Sequence, residues 1–400
     1  MKSSRIALLT AALLSANTNA ADTSYWNVEG KSAEQIEKRV NYLVKMSDPR
    51  TPEERLADLE VKARYADAIV VDSLVVGGMD RSLKGFPAGF TIEQFDELMT
   101  DTKDAGFDLF STTISNGTDK SVEEVYARSE FMPDYLEETY DYRQVMTVKD
   151  VRKNKALGKI SFVQNFQALD HLGEDLSHIP RFAEDGVKVM SFSYNISNQY
   201  TGSGDTNSLK SGPKGLTPLG VKAVKAMNDA GIVVDCSHDS DQTCIDIAKY
   251  SNKPVIASHS NARTLMPIDR NISDEAIIAI ANTGGVVGVN FLGGFLNKEG
   301  DASPEAIAKH VVYIGDLVGK DHVAVGVDYV HNYKEALHWV IRNPQKFPPS
   351  SGFAQETEMG LPQDIWGLVR VLEDDYNWNE DEIRGLLGEN LLRVYEANWG

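Results

Sequence analysis

The chain has 400 residues, of which 42% are hydrophobic and 25% are charged, a composition typical of a globular protein with a sizeable core. This length favours one large catalytic domain with a short accessory segment over several equal domains. The formal net charge of −19, with no basic run to offset it, argues against a protein that binds nucleic acid or anionic lipid.

The first twenty residues have the pattern of a signal peptide. Lys2 and Arg5 form a short positive region, and Ile6–Leu14 is mostly apolar but too short to span a bilayer. Thr18 and Ala20 are suited to recognition by a signal peptidase. We therefore expect an exported protein, periplasmic or secreted, that is cleaved near Ala20 and has no transmembrane anchor.

Residues 21–65 are rich in charged, helix-favouring residues. Thr51-Pro52-Glu53-Glu54 has the order of a helix N-cap, a proline in the first turn and early acids. We interpret residues 21–65 as an N-terminal helical extension that packs on a catalytic domain formed by residues 66–400.

From residue 66 onward, short β-branched runs alternate with amphipathic helical stretches such as Pro218–Ala230, Gln242–Ser251 and Asp274–Thr283. This alternation predicts a parallel sheet, and eight such units favour a closed (β/α)8 TIM barrel of the α/β class over an open doubly wound sheet. No glycine-rich phosphate fingerprint follows the first strand, which argues against dinucleotide binding. The predicted strands are Ile69–Val76, Asp108–Ser115, Lys159–Phe166, Val187–Tyr194, Gly231–His238, Pro254–Ser260, Val286–Phe291 and Val323–Tyr329.

The longest connection follows the fourth strand, from Asn195 to Thr217, and is rich in Gly, Ser, Asn and Thr. In a barrel this connection would lie at the catalytic face. Because loops of this length are usually functional or disordered, we expect it to cover a substrate.

Polar residues end most of the predicted strands, where barrel enzymes place their reactive groups. His238 and His259 end two consecutive strands, which lie about 4.8 Å apart in a sheet. Two imidazoles in matching positions can hold one divalent ion, and imidazole suits zinc. The strand-end residues are Gln167, Tyr194, His238, His259, Asn290 and Asp328.

Two further charged residues could take part in chemistry. Asp328 ends the last strand, where an acid can serve as a general base or bind metal. Arg270, in the loop after the sixth strand, could clamp a substrate carboxylate, or it could form an ion pair with an acid such as Asp269. His331 lies just beyond Asp328 and could face the site, whereas the remaining histidines are interpreted as structural.

The two cysteines lie eight residues apart. Export would permit a disulfide. However, Cys236 falls in a strand pattern and Cys244 in the following helix pattern, so we interpret them as two small buried residues.

Several ordered motifs resemble the membrane (renal) dipeptidase family of metallopeptidases, in the amidohydrolase-like barrel superfamily. Asp235-Cys236-Ser237-His238 and Pro254-Val255-Ile256-Ala257-Ser258-His259-Ser260 resemble that family's D-L-S-H and P-V-I-x-S-H-S. The resemblance covers roughly residues 66–398. The other matching segments are Asp269–Asn271, Gly284–Phe291, Asp321–Asp328 and Leu387–Val394.

The resemblance implies a two-zinc site, but this sequence departs from it. The family's first-strand His-x-Asp falls on Leu74 and Val76, which cannot bind metal. Its bridging Glu falls on Gln167, and a substrate-contacting His falls on Tyr194. The positions that match the family are His238, His259, Arg270 and Asp328.

We therefore expect at most one zinc ion, held by His238 and His259, in a hydrolase that cleaves dipeptides or related small amides with a metal-activated water. Asp328 would act as a base and then as an acid. The residues expected to bind substrate are Arg270, Tyr194, Asn290 and Gln167, with Tyr194 or Gln167 donating to the developing oxyanion.

Two alternatives stay open on the sequence. One is a non-catalytic or metal-free barrel that binds a small carboxylated ligand or a protein partner. The other is an amide or ester hydrolase with a different substrate. A homodimer is compatible with either function.

Overall fold

The structure, a computed structural model, describes residues 31–45, 50–76, 92–117, 119, 121–202, 214–331, 333–344, 346–352 and 356–399. The expected signal peptide lies outside these residues, as do residues 203–213 of the long loop after the fourth strand. Within the described ranges, no helix combines the length and apolar character needed to cross a membrane.

Eight parallel strands form the core of the fold, and each pairs with its neighbours in sequence order. The predicted strands and the (β/α)8 architecture are confirmed. Six of the eight observed ladders end earlier than the predicted runs, because the last residues of those runs leave the ladder and turn toward the carboxyl end of the barrel, whereas the second and third ladders end as predicted. The strands are β1 Val71–Val75, β2 Leu109–Ser115, β3 Ser161–Phe166, β4 Val187–Ser191, β5 Val233–Asp235, β6 Ile256–Ala257, β7 Val286–Val289 and β8 Val323–Val325.

Side chains of β1 help to close the ring between β8 and β1. The carboxylate of Asp72 accepts a hydrogen bond from the backbone N–H of Val327 at 3.0 Å, and the Ser73 hydroxyl donates to the carbonyl oxygen of Val325 at 2.8 Å. The chains approach so closely here that a Cβ on Gly326 would lie 2.0 Å from the carbonyl oxygen of Ser258. Glycine is therefore required at this position, directly after β8.

Helices cover the outside of the barrel, and several of them begin after a Ser or Thr whose side chain caps the helix. The helix that follows Thr51 has a complete capping box between Thr51 and Glu54. Thr217 caps the helix Pro218–Asp229 by accepting a hydrogen bond from the backbone N–H of Gly220. The longer helices are Ala33–Leu43, Pro52–Arg64, Ile92–Ala105, Val122–Tyr140, Val148–Ala156, His178–Glu184, Pro218–Asp229, Asp241–Tyr250, Asp274–Asn282, Pro304–Val318, Tyr333–Val340, Asp364–Tyr376 and Asn390–Trp399.

Shorter elements fill the connections. Val44–Lys45 pairs in parallel with Thr357–Glu358, and Arg143–Gln144 pairs with β3. The remaining short helices are Asp170–Leu172, Gly293–Leu296, Lys320–His322, Pro349–Ser351, Glu380–Arg384 and the π-helical turn Gly385–Glu389.

The amino end of the barrel is filled by an apolar cluster to which every strand contributes. Leu391, Leu392 and Tyr395 of the last helix pack into the same cluster and close this end. We therefore expect the functional site at the opposite, carboxyl end of the barrel, where other barrels of this class have their active sites. The strand residues of the cluster are Val71, Leu109, Val163, Val189, Val233, Ile256, Val286 and Ala324.

The interpretation of the cysteines as two separate buried residues is wrong, because Cys236 and Cys244 form a disulfide. The chain turns sharply between β5 and the helix Asp241–Tyr250, with His238 in a left-handed conformation at φ 69°, and this turn brings the two Cα atoms to 5.3 Å. The disulfide closes a short loop that contains His238.

We expect the double variant Cys236→Ala, Cys244→Ala to lose about 2–3 kcal/mol of unfolding free energy, the chain-entropy value for a loop of this length. Thermal unfolding should show a melting temperature lower by a few degrees. Reductant should lower the melting temperature of the wild type toward that of the variant and leave the variant unchanged. Two titratable thiols in the unreduced, denatured wild type would contradict the disulfide.

Candidate functional site

The carboxyl ends of the strands bring the predicted site residues together. His238, Asp328 and Asn195 each lie a few residues beyond a strand, and all three have left-handed backbone, with φ of 69°, 56° and 60°. Such residues turn the chain abruptly, so their side chains are aimed across the mouth of the barrel instead of along the sheet. His238 is 6% exposed and His259 is fully buried.

The two histidines predicted to act together are in direct contact. The Nε2 atoms of His238 and His259 lie 2.9 Å apart. Burial lowers the pKa of both imidazoles well below the usual range, and the nearby guanidinium of Arg270 lowers both further. Both rings are therefore neutral at pH 7, the form in which histidine binds metal.

A buried carboxylate orients His259 through a serine. The Ser258 hydroxyl lies 2.7 Å from Nδ1 of His259 and donates to Oδ2 of Asp235 at 2.5 Å. The same carboxylate accepts from the hydroxyl of Ser191 at 2.7 Å and from the backbone N–H groups of Ser237 and Ser258 at 2.9 Å. Asp235 thus ties β4, β5 and β6 together directly beneath the histidine pair.

His238 is held by residues from the preceding strand and its loop. Its Nδ1 lies 2.7 Å from Oδ1 of Asn195, and the ring of Tyr194 packs on the imidazole with centroids 4.3 Å apart. The ammonium of Lys346 lies 4.7 Å from the centroid of the tyrosine ring. Burial raises the pKa of Tyr194, so its hydroxyl stays protonated.

Gln167, one residue beyond β3, also contacts His238. Its amide oxygen lies 3.0 Å from Nε2 of His238, and its amide nitrogen donates to the hydroxyl of Thr113 at 2.9 Å. In this orientation one amide N–H group of Gln167 faces Thr113 and the amide oxygen faces His238, and the predicted donation from Gln167 to an oxyanion stays a prediction.

Arg270 lies against the histidines at the edge of the site. It donates to the carbonyl oxygen of His259 at 2.8 Å and to the hydroxyl of Ser260 at 3.1 Å, and Nη2 lies 3.5 Å from Nε2 of His238. Its guanidinium also lies 5.5 Å from the ring centroid of Phe295. Arg270 is only 5% exposed and lines the cavity described below, so its charge is directed at whatever enters that cavity.

Asp328 faces the same space from the end of β8. Burial raises the pKa of its carboxyl to about 6, against the lowering effects of the Arg270 charge and of a hydrogen bond from the Asn290 amide at 2.7 Å. A carboxyl with this pKa can take and return a proton near neutral pH, as a general base and acid must.

A cavity opens beside these residues. Four polar side chains reach it, those of Asn195, His238, Arg270 and Asp328. Gln167, His259 and Asn290 lie behind this surface, in contact with His238 or Asp328. The rest of the lining is apolar or aromatic, from Val76, Tyr194, Leu292, Phe295, Val330, Tyr333, Ala336, Val340, Phe347 and Met359.

His331 is bound elsewhere. Its Nε2 lies 2.5 Å from Glu97 and its Nδ1 lies 3.3 Å from Asp101, both on the helix Ile92–Ala105. The position of His331 near Asp328 in the sequence therefore does not carry it to the histidine pair.

Sequence reasoning missed the residues that hold the site from behind, Asn195, Asp235, Ser258 and Thr113. Asp235 could have been identified from the sequence, because a carboxylate in a strand buried on both sides requires several hydrogen-bond donors around it. Asn195 and Thr113 could not have been identified in this way, because their hydrogen-bond partners lie 43 and 54 residues away in the chain.

Among the described residues, the histidine pair could hold one metal ion. Leu74 and Val76 are buried apolar residues at the first-strand positions, and the described part of the chain contains no group of three or more His, Cys, Asp and Glu placed to hold a metal. The two imidazole nitrogens, 2.9 Å apart, can both reach one ion at the usual zinc–nitrogen distance of about 2.0–2.1 Å.

Comparison with known proteins finds relatives that are similar in sequence. The chain is 34% identical over 261 residues to an uncharacterized protein in the pqqA 5′ region of Klebsiella pneumoniae, covering 63% of this chain and 86% of that protein. It is 31% identical over 195 residues to the dipeptidase tcpJ of Claviceps purpurea, covering 48% of this chain and less than half, 45%, of that protein.

A crystal structure of an amidohydrolase from Pseudomonas aeruginosa has the same fold, with a TM-score of 0.72 at 24% identity, over 86% of this chain and 99% of the other. The sequence profile of the membrane dipeptidase family, peptidase family M19, matches residues 91–342, well over half of the chain. The protein therefore belongs to the membrane dipeptidase (peptidase M19) family of metallopeptidases.

Proposed function

We propose that the protein hydrolyses dipeptides or related small amides and uses at most one metal ion, which we expect to be zinc. One observation carries the proposal. Two neutral imidazole nitrogens face each other at 2.9 Å, beside a cavity that a guanidinium and a carboxyl also enter. The three groups match the needs of amide hydrolysis, which are activation of water, binding of the substrate and proton transfer.

Arg270 would bind the terminal carboxylate of the substrate. Its guanidinium is fixed by the carbonyl oxygen of His259 and the hydroxyl of Ser260, so little side-chain entropy is lost when a carboxylate arrives. The apolar part of the cavity lining would receive a hydrophobic side chain. A small peptide with a free carboxyl terminus suits both features.

His238 and His259 would hold the ion, which when bound polarises the substrate carbonyl and lowers the pKa of a water molecule. Asp328 would accept a proton from the attacking water and return it to the leaving amine. Asn290 keeps the carboxyl oriented for both steps by donating to Oδ2. The protonated hydroxyl of Tyr194 would donate to the oxygen of the tetrahedral intermediate.

We also propose that the protein is exported, with residues 1–20 removed near Ala20, residues 21–65 forming a helical extension and residues 66–400 forming the barrel domain. The Cys236–Cys244 disulfide supports export, because disulfides persist mainly in oxidising compartments.

The test is to measure metal content and dipeptide turnover of the purified protein and of His238→Ala. We expect no more than one zinc ion per chain, turnover of dipeptides, and loss of both zinc and turnover in His238→Ala. His178→Ala, a histidine far from the cavity, is the matched control and should retain both. Full activity in a metal-free preparation would overturn the metal mechanism.

A second candidate function is binding without catalysis. Leu74 and Val76 remove the first metal position, while Arg270 and Asp328 would still bind a small molecule that carries a carboxylate and an amine. A hydrolase screen with added zinc and manganese separates the two functions. Reproducible turnover that is abolished by Asp328→Asn would exclude this alternative.

A further inference from the structure

We infer that residues 33–45 determine which substrate side chains fit the cavity, although none of these described residues lines it. This segment, the N-terminal brace, consists of the helix Ala33–Leu43 and the short strand Val44–Lys45. It contacts two of the segments that form the apolar part of the cavity lining. The inference rests on the proposed function, because it assigns what sets the selectivity of the proposed hydrolysis.

The first contact of the brace is with the helix Tyr333–Val340, the covering helix. One carboxylate oxygen of Glu37 lies 2.5 Å from Nζ of Lys334, and the other lies 2.9 Å from Nε2 of His338. Positions 334 and 338 lie one turn apart, on the opposite side of the covering helix from positions 336 and 340. Glu37 therefore holds the outer side of a helix whose inner side covers the cavity. The residues of this helix that line the cavity are Tyr333, Ala336 and Val340.

Apolar residues of the brace are buried at the same contact. Ile36 and Val40 lie one turn apart and are 8% and 0% exposed. Both belong to the main apolar cluster, which also contains Leu337 of the covering helix, and the two helices pack against each other. Burial of these side chains supplies most of the stability of this contact, because exposed ion pairs contribute little by themselves.

The second contact of the brace is with the segment that carries Met359. The strand Val44–Lys45 pairs in parallel with Thr357–Glu358, and Met359, the next residue, lines the cavity. Met359 also forms an antiparallel β-bridge with Leu292, another residue of the cavity lining. The brace thus supports the cavity wall at Met359 as well as at the covering helix.

The walls supported by the brace are apolar, so they act on a substrate through the fit of its side chains. One methylene more or less in a hydrophobic pocket changes specificity by about 10–200-fold. A wall that shifts loses part of this contact with a large side chain, whereas a small side chain that does not reach the wall is unaffected. The brace should therefore act on the KM of bulky apolar dipeptides. Proton transfer by Asp328 and carboxylate binding by Arg270 should be unchanged.

The experiment compares kcat and KM for leucyl-leucine and alanyl-alanine in full-length protein. Glu37→Ala should raise the KM for leucyl-leucine by about 2–5-fold, the range for loss of an exposed ion pair. The double variant Glu37→Ala, Val40→Ala also loses two buried methyl groups, and its KM should rise by at least about 10-fold. The KM for alanyl-alanine and both kcat values should not change. Glu37→Gln keeps a hydrogen-bonding oxygen and should lie between the wild type and Glu37→Ala.

Two matched controls separate this effect from a general loss of stability. Glu34→Ala removes an exposed acid of the same helix. Val61→Ala removes two buried methyl groups from the helix Pro52–Arg64, which packs on the helix Asp364–Tyr376. Both controls should keep the wild-type KM for both dipeptides. A double variant with lower kcat for both dipeptides and unchanged KM would contradict the inference, because it would show only a loss of folded protein.

Hydrogen exchange tests the support of the cavity wall without substrate or metal. Residues 333–340 and 357–359 should exchange faster in the double variant than in the wild type and should be unchanged in the two controls. Wild-type exchange of these residues in the double variant would overturn the inference.

Calorimetric binding of the two dipeptides separates this inference from the proposed function. A protein that hydrolyses neither dipeptide, but whose affinity for leucyl-leucine alone falls in the double variant, would support this inference and overturn the proposed function. Hydrolysis of both dipeptides with the same selectivity in the wild type and the double variant would do the reverse.

Discussion

Asp328→Asn should lower kcat/KM for dipeptides by about 10²–10⁴-fold, the usual contribution of a general acid–base residue. Asparagine keeps the size of the side chain and an oxygen that can accept the hydrogen bond from Asn290. The substitution therefore removes proton transfer while leaving the packing at the end of β8 in place.

The pH dependence should identify the same residue. The carboxyl of Asp328 is active as a base when ionised, and burial raises its pKa to about 6. Wild-type kcat/KM should therefore be high above this pH and should fall as the pH drops through about 6. The residual activity of Asp328→Asn should lack that acidic limb. Asp316→Asn, an exposed acid on the helix Pro304–Val318, is the control and should retain both rate and profile. A wild-type profile flat from pH 5 to 8 would contradict the assignment.

Arg270→Leu should lower kcat/KM for dipeptides with a free carboxyl terminus by about 10²–10⁴-fold. Removing one partner of a buried ion pair costs about 3–5 kcal/mol, because the remaining charge is left without compensation. Arg270→Lys keeps the positive charge but loses the planar fork, so it should be intermediate.

The selectivity between two substrates separates this role from a structural one. Arg270 also supports the carbonyl oxygen of His259, so a general disturbance of the site would slow every substrate equally. If Arg270 contacts the substrate carboxylate directly, kcat/KM should fall only for the dipeptide with a free carboxyl terminus. Arg270→Leu should then hydrolyse the corresponding dipeptide amide nearly as well as the wild type does. An equal decrease of kcat/KM for both substrates would show that Arg270 only supports the structure of the site and does not bind the carboxylate.

The barrel could be predicted from the sequence because its signal is local. Each strand is a short β-branched run followed by an amphipathic helix, and neighbours in sequence are neighbours in the sheet. The same regularity places His238 and His259, at the ends of adjacent strands β5 and β6, close enough for their rings to meet.

The rest of the site depends on contacts that no local pattern encodes. Gln167 is oriented by Thr113, and His238 by Asn195, through partners far apart in the chain. The disulfide was missed for a related reason. A strand followed by a helix usually separates its residues, but the left-handed turn at His238 folds the helix start back onto β5.

The left-handed residues at the mouth of the barrel have a consequence for the stability of the fold. Asn195, His238 and Asp328 are three of the five non-glycine residues with positive φ in the described chain. Each such conformation costs roughly 1 kcal/mol that glycine would not incur. A barrel released from selection for ligand binding or chemistry would gain stability by acquiring glycine at these positions. The three side chains therefore cost stability at the end of the barrel that contains the candidate site, as expected of residues placed for ligand binding or chemistry and not for folding.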